Sequence, residues 1–62
     1  MFAELDVVAL IHNIDKYRLS EGRMGTIVQM YKNGSAFAVE FLDNEGYTIA
    51  LIDLTPKDVR LV

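Results

Sequence analysis

The sequence predicts an all-β domain, and three observations carry that prediction. Short β-branched and aromatic runs recur along the chain, each bounded by turn residues. Two of the boundaries, Asn33-Gly34 and Asp43–Gly46, have the composition of hairpin turns. No long window of helical periodicity competes with them. Residues 1–62 read as one domain, since a chain of this length supports a single core.

The first run, "DVVALI" from Asp6 to Ile11, is read as a strand. Leu5, Val8, Ile11 and His12 fall near helical spacing, but Val-Val and Ile favour the extended form. A polar stretch from His12 to Glu21 follows, long for a loop in so small a domain. Gly22 and Gly25 then precede "TIVQMYK", the second strand. Their expected role is to supply unusual φ at a turn and a bulge, so that the strand starts twisted. Asn33-Gly34 turns the chain into "AFAVEFL", the clearest strand. There Phe37, Val39 and Phe41 share one face, and Ala36, Ala38 and Glu40 the other. Asp43 to Gly46 makes a second hairpin loop, with side-chain acceptor chemistry at its start and glycine at its end. "YTIALI" resumes as a strand, with Tyr47, Ile49 and Leu51 expected on one face. Pro56 breaks the pattern as a tight turn or one short 3₁₀ turn. "VRLV" closes as the last strand.

Five short strands in a chain this small must close on themselves or leave edges. A small five-stranded SH3-like barrel is the economical answer. The order of features supports it: a strand, a long loop, three meander strands, a turn with proline and a final strand. Phe37, Val39, Phe41, Ile27, Ile49, Leu51, Leu54 and Val59 are the expected core. Ala36 and Ala38, with Ala50 on the strand beside them, are expected to leave a flat, weakly polar surface suited to a homodimer or to docking on a larger protein.

Composition narrows the function. The chain is 52% hydrophobic, too apolar for disorder, and has no Cys with which to build a disulfide or a thiolate zinc site. Six basic residues against nine acidic ones give a net charge of −3, which argues against non-specific nucleic-acid binding. No apolar run approaches the roughly 18 residues of a membrane span. "MFAELD" lacks the basic start of a signal peptide, so a cytoplasmic location without membrane attachment is expected.

Few residues invite chemistry. "GRMGTIV" could form a GxxG backbone clamp on phosphates, but that loop needs flanking helices, and the glycines serve better as strand geometry. His12 is the only histidine, and a lone histidine builds neither a metal site nor a catalytic pair. The loop from His12 to Arg23 is more informative. It holds Lys16, Arg18 and Arg23, half of the six basic residues, with Tyr17 between two of them. An aromatic flanked by cations could stack on a base or grip an acidic peptide.

Across Glu4 to Val62 the sequence resembles a family of small bacterial proteins described as domain of unknown function 4926. The likeness lies in "LDVV" near the start, "G-x-x-G-T-I-V" in the middle, "VEF" after the first hairpin, and "T-I-A-L" followed by "DVR" near the end. It implies an SH3-like barrel. Members look like stand-alone proteins encoded beside another small gene, which implies an antitoxin-like, immunity-like or accessory role toward the neighbouring product.

The expected function is therefore a non-enzymatic binding module that engages a protein partner, and also itself, without a cofactor. Lys16, Tyr17, Arg18 and Arg23 are the expected contact residues, with Tyr31 nearby at the start of the first hairpin. Aromatic anchors within a charged rim are the composition of contact hot spots. The second class is a KOW-like nucleic-acid-binding module using Arg18, Arg23 and Lys32.

Overall fold

The computed structural model describes residues Met1–Val62. Five antiparallel strands form one sheet: β1 (Val7–Leu10), β2 (Met24–Tyr31), β3 (Ala36–Leu42), β4 (Thr48–Leu54) and β5 (Val59–Leu61). Their order is β4-β3-β2-β1-β5, so the last strand crosses back to pair with the first. The order fits the expected SH3-like barrel, with β4 and β5 as the two strands that bond on one side only.

The turns form where their residues dictate. Asp43 accepts at Oδ1 from the Glu45 and Tyr47 amides, at 2.8 and 3.0 Å, and Gly46 takes φ of 90°. The first hairpin is wider than a two-residue turn. Lys32, Asn33 and Gly34 all have positive φ, and the Ser35 amide and hydroxyl both donate to the Lys32 carbonyl. At Pro56 the chain makes a single turn, closed by the Asp58 amide on the Thr55 carbonyl at 2.9 Å. The 3₁₀ segments lie elsewhere, at Asp15–Tyr17 and Lys32–Gly34. The Asp58 side chain caps the Thr55 amide and returns the chain into β5 at once, so no 3₁₀ helix develops beside Pro56.

β3 carries the core. Phe37, Val39 and Phe41 are fully buried, as their alternation predicts, and Ile27, Leu54 and Val59 are buried with them. Phe2 folds over the end of this cluster, its ring centroid 5.3 Å from that of Phe37. An Asp6-capped turn and two backbone bonds to Ile27 hold that N-terminal segment against β2, beside the bulge between Ile27 and Gln29.

Two expectations about β4 are overturned. Ile49 and Leu51 do not enter the core; they are 46% and 61% exposed. Ala50 is buried instead, and so is Ala38, so these alanines do not form an open flat surface. The pairings explain the exchange. Phe37, Val39 and Phe41 face Leu54, Ile52 and Ala50, while Leu42 faces Thr48, leaving Ile49 as a bulged extra residue. With a side-chain period of two, that register puts Ala50, Ile52 and Leu54 inward, and the bulge returns Thr48 to the outer face. Ala50 stands directly opposite the large, buried Phe41.

Gly25 also departs from expectation. It lies inside β2, buried, and the bulge of that strand falls three residues later. A Cβ on Gly25 would stand 2.7 Å from Val39 Cγ1 and 2.9 Å from the Glu40 carbonyl oxygen. Glycine is present because β3 comes too close for any side chain. Gly22, with φ of 90° and open space around it, does supply a turn.

Candidate functional site: the loop between β1 and β2

The polar stretch from His12 to Arg23, between β1 and β2, is a structured arm. Ile14 and Leu19 form a two-residue bridge, with the Ile14 amide 2.8 Å from the Leu19 carbonyl and the Leu19 amide 3.1 Å from the Ile14 carbonyl. Between them Asp15–Tyr17 makes one 3₁₀ turn, and Arg18 reverses the chain in the left-handed conformation at φ of 58°. Leu19 is 2% exposed and belongs to the main core, and Ile14 packs against it. An apolar pair on the inner side thus pins the arm while its polar residues face out.

The base of the arm is tied as well. Asn13 Oδ1 accepts from the Glu21 amide at 2.8 Å. Gly22 donates to the Leu10 carbonyl and Leu10 to the Arg23 carbonyl, which carries the β1–β2 pairing up to the arm. His12 crosses to the Pro56 turn. Its Nδ1 lies 3.0 Å from the Asn13 carbonyl and its Nε2 2.8 Å from Asp58 Oδ1. Both partners are acceptors, so the ring satisfies both bonds only when protonated. The Asn13 carbonyl and then the Asp58 carboxylate accordingly hold the imidazole above its ordinary 6.5. Burial pushes the Asp58 carboxyl up, but bonds from His12 and Thr55 outweigh it and hold the group below its ordinary 3.8.

The five expected contact residues separate into three places. Lys16, Tyr17 and Arg18 sit together at the tip, all exposed, with Lys16 Nζ 5.6 Å from the centre of the Tyr17 ring. Arg23 stands at the base and is half-buried; its Nη2 donates to the Leu42 carbonyl at 2.8 Å. That bond fastens the arm to the end of β3 and occupies part of the guanidinium. Tyr31 is not near the arm in the sense expected. It ends the eight-residue β2 that Arg23 precedes, a separation of roughly 26 Å along an extended strand. Burial, reinforced by the Asp53 carboxylate, holds its phenol above the ordinary value of 10.0. Tyr31, Lys32, Ala36 and Asp53 line a separate open cleft.

The His12–Asp58 clasp is the feature that reading the sequence missed. The two residues lie 46 positions apart, beyond any local spacing rule. "TPKD" did offer a hint, because Thr and Asp three apart around a proline favour a side-chain-capped turn.

Comparison with known families decides where the chain stands. The family described as domain of unknown function (DUF4926) matches residues 4–61. The chain belongs to this DUF4926 family. No curated protein and no solved structure matches it. The DUF4926 match spans every strand and the arm, so the tip residues lie within the family's own domain rather than on an appended tail.

Proposed function

We propose that this DUF4926 protein is a non-enzymatic binding module that holds a protein partner at the tip of the β1–β2 arm. One observation carries the reading. Tyr17 is 42% exposed between Lys16 and Arg18, on a turn whose backbone is bonded across Ile14 and Leu19 and whose root is buried. A rigid, exposed aromatic flanked by cations loses little freedom when it is covered, which is what makes a contact anchor effective. The cations suit an acidic patch on the partner. His12 supports the non-enzymatic reading, since both ring nitrogens are already bonded. An adaptor of this kind, able also to self-associate, suits an antitoxin-like, immunity-like or accessory role in the cytoplasm beside the product of a neighbouring gene.

The KOW-like alternative has weaker support. Arg18, Arg23 and Lys32 occupy the arm tip, the arm base and the far hairpin, and Arg23 is engaged with Leu42. Phosphate tracking needs a continuous basic surface.

The test uses the native chain and Tyr17→Ala as immobilised baits in extracts of the source cells. Proteins retained by the native chain and lost from the variant support the reading. Equal retention by both baits removes the tip as the contact surface. Retention of nucleic acid that falls steeply with salt supports the KOW-like alternative instead.

A further inference from the structure

β4 is an outer strand of the sheet. Every backbone hydrogen bond it makes runs to β3. Alternate residues of a strand turn their N–H and C=O groups to opposite sides, so β4 presents a row of unpaired donors and acceptors along its free edge. Sheets usually blunt such an edge with lysine, proline or short length. The other edge, β5, is blunted: it has three residues, with Arg60 at the centre. β4 has seven residues, Thr-Ile-Ala-Leu-Ile-Asp-Leu, with neither lysine nor proline and a single acid. Its one protective device, the bulge at Ile49, stands at one end. Leu51, at the middle of the strand, is 61% exposed.

We propose that the β4 edge is covered by β4 of a second copy of this chain, antiparallel, about a two-fold axis at Leu51. The two five-stranded sheets then become one continuous sheet. The inference deepens the self-association named above and rests on that part of the reading; it uses no residue of the arm tip. The sequence of the strand argues for a second copy. In this register Leu51 faces its own counterpart, Ala50 faces Ile52 and Ile49 faces Asp53, and the bulge ends the regular pairing there. The only charge therefore meets an aliphatic side chain, and no like charges stand directly opposite each other. The exposed Leu51 pair covers itself. Two-fold pairing also closes, whereas β4 on β5 of the next molecule would match seven residues to three and leave free ends. A single strand pair is smaller than a standard interface, so the dimer dissociates on dilution.

Sedimentation equilibrium of the native chain, from micromolar to millimolar concentration, reads the association. The expected mass rises toward twice the 7.0 kDa of one chain. Leu51→Lys and Leu51→Glu, each alone, place like charges on the axis and remain monomeric over the same range. An equimolar mixture of the two restores the dimer, because Lys then faces Glu. Circular dichroism checks that both variants keep the native fold, as expected for an exposed side chain. A native chain that stays monomeric to millimolar concentration overturns the proposal. A Leu51→Lys chain that dimerises as the native chain does assigns the dimer to another surface and also overturns it. Monomeric single variants with no rescue in the mixture overturn the register. None of these outcomes bears on the arm, whose partner is read with Tyr17→Ala.

Discussion

Consider replacing Gly25 by alanine. The φ of Gly25 lies outside the left-handed region, so the substitution imposes no backbone strain of its own. What it imposes is contact. The new Cβ would sit 2.7 Å from Val39 Cγ1, 2.9 Å from Phe41 Cδ1 and 2.9 Å from the Glu40 carbonyl oxygen. Val39 and Phe41 are fully buried and cannot swing into solvent, and the third neighbour is backbone. β2 and β3 must therefore move apart. Overpacking of a core costs about 1–3 kcal/mol, and the backbone contact points to the upper part, about 2–3 kcal/mol. A chain of this size has roughly 3–9 kcal/mol of stability in all. Its unfolding entropy makes each kcal/mol worth about 8 °C, so the expected fall in Tm is roughly 15–25 °C. Thermal and urea unfolding followed by circular dichroism measure it. Gly22→Ala is the control, since it meets nothing within 4 Å but has φ of 90°; it is expected to cost about 1 kcal/mol through strain alone. A Gly25→Ala loss under about 0.5 kcal/mol, within the range of ordinary surface substitutions, would refute the close packing of β2 on β3.

Two further outcomes follow from the arm. Leu19→Ala empties a buried site at the root of the arm and is expected to cost about 2–4 kcal/mol, with faster hydrogen exchange at the Ile14 and Leu19 amides than at Phe37. The His12–Asp58 clasp makes stability depend on pH. His12 is raised from 6.5, so its contribution is complete below that value and is lost as pH rises through the folded value. Asp58 is lowered from 3.8, so its contribution is present above that value and is lost as pH falls through the folded one. The clasp thus contributes most between those limits. The Tm of the native chain should fall as pH rises from about 6 to about 8, while His12→Gln stays flat there; parallel profiles would show that the clasp does not form.

The parts of the fold that were readable are those where one local signal dominates. "AFAVEFL" alternates cleanly, and Ala36–Leu42 is the strand it forms, with the predicted face inward. Asp43 and Gly46 each have one strong preference, and the loop between them follows it. β4 was misread because Ile49 and Leu51 on one side, and Ile52 and Leu54 on the other, are equally apolar. Only pairing with β3 and the bulge choose between them. Gly25 was misread because a glycine kept for close approach looks in sequence like one kept for positive φ. The arm is legible as a long polar stretch between two strands, but its rigidity is not. Leu19 as an anchor, Asn13 on the Glu21 amide and His12 on Asp58 are contacts that appear only once the folded sheet brings distant segments together. For the same reason Tyr31, grouped with the arm by its chemistry, stands with Asp53 at the other end of β2.

The central claim is that a protein partner is held at the arm tip. A photo-crosslinking amino acid placed at position 17, with position 57 in the Pro56 turn as reference, tests it inside the source cells. The account predicts one discrete protein adduct from position 17, absent from position 57 and unchanged by nuclease. No adduct from position 17, or the same adducts from both positions, would contradict it.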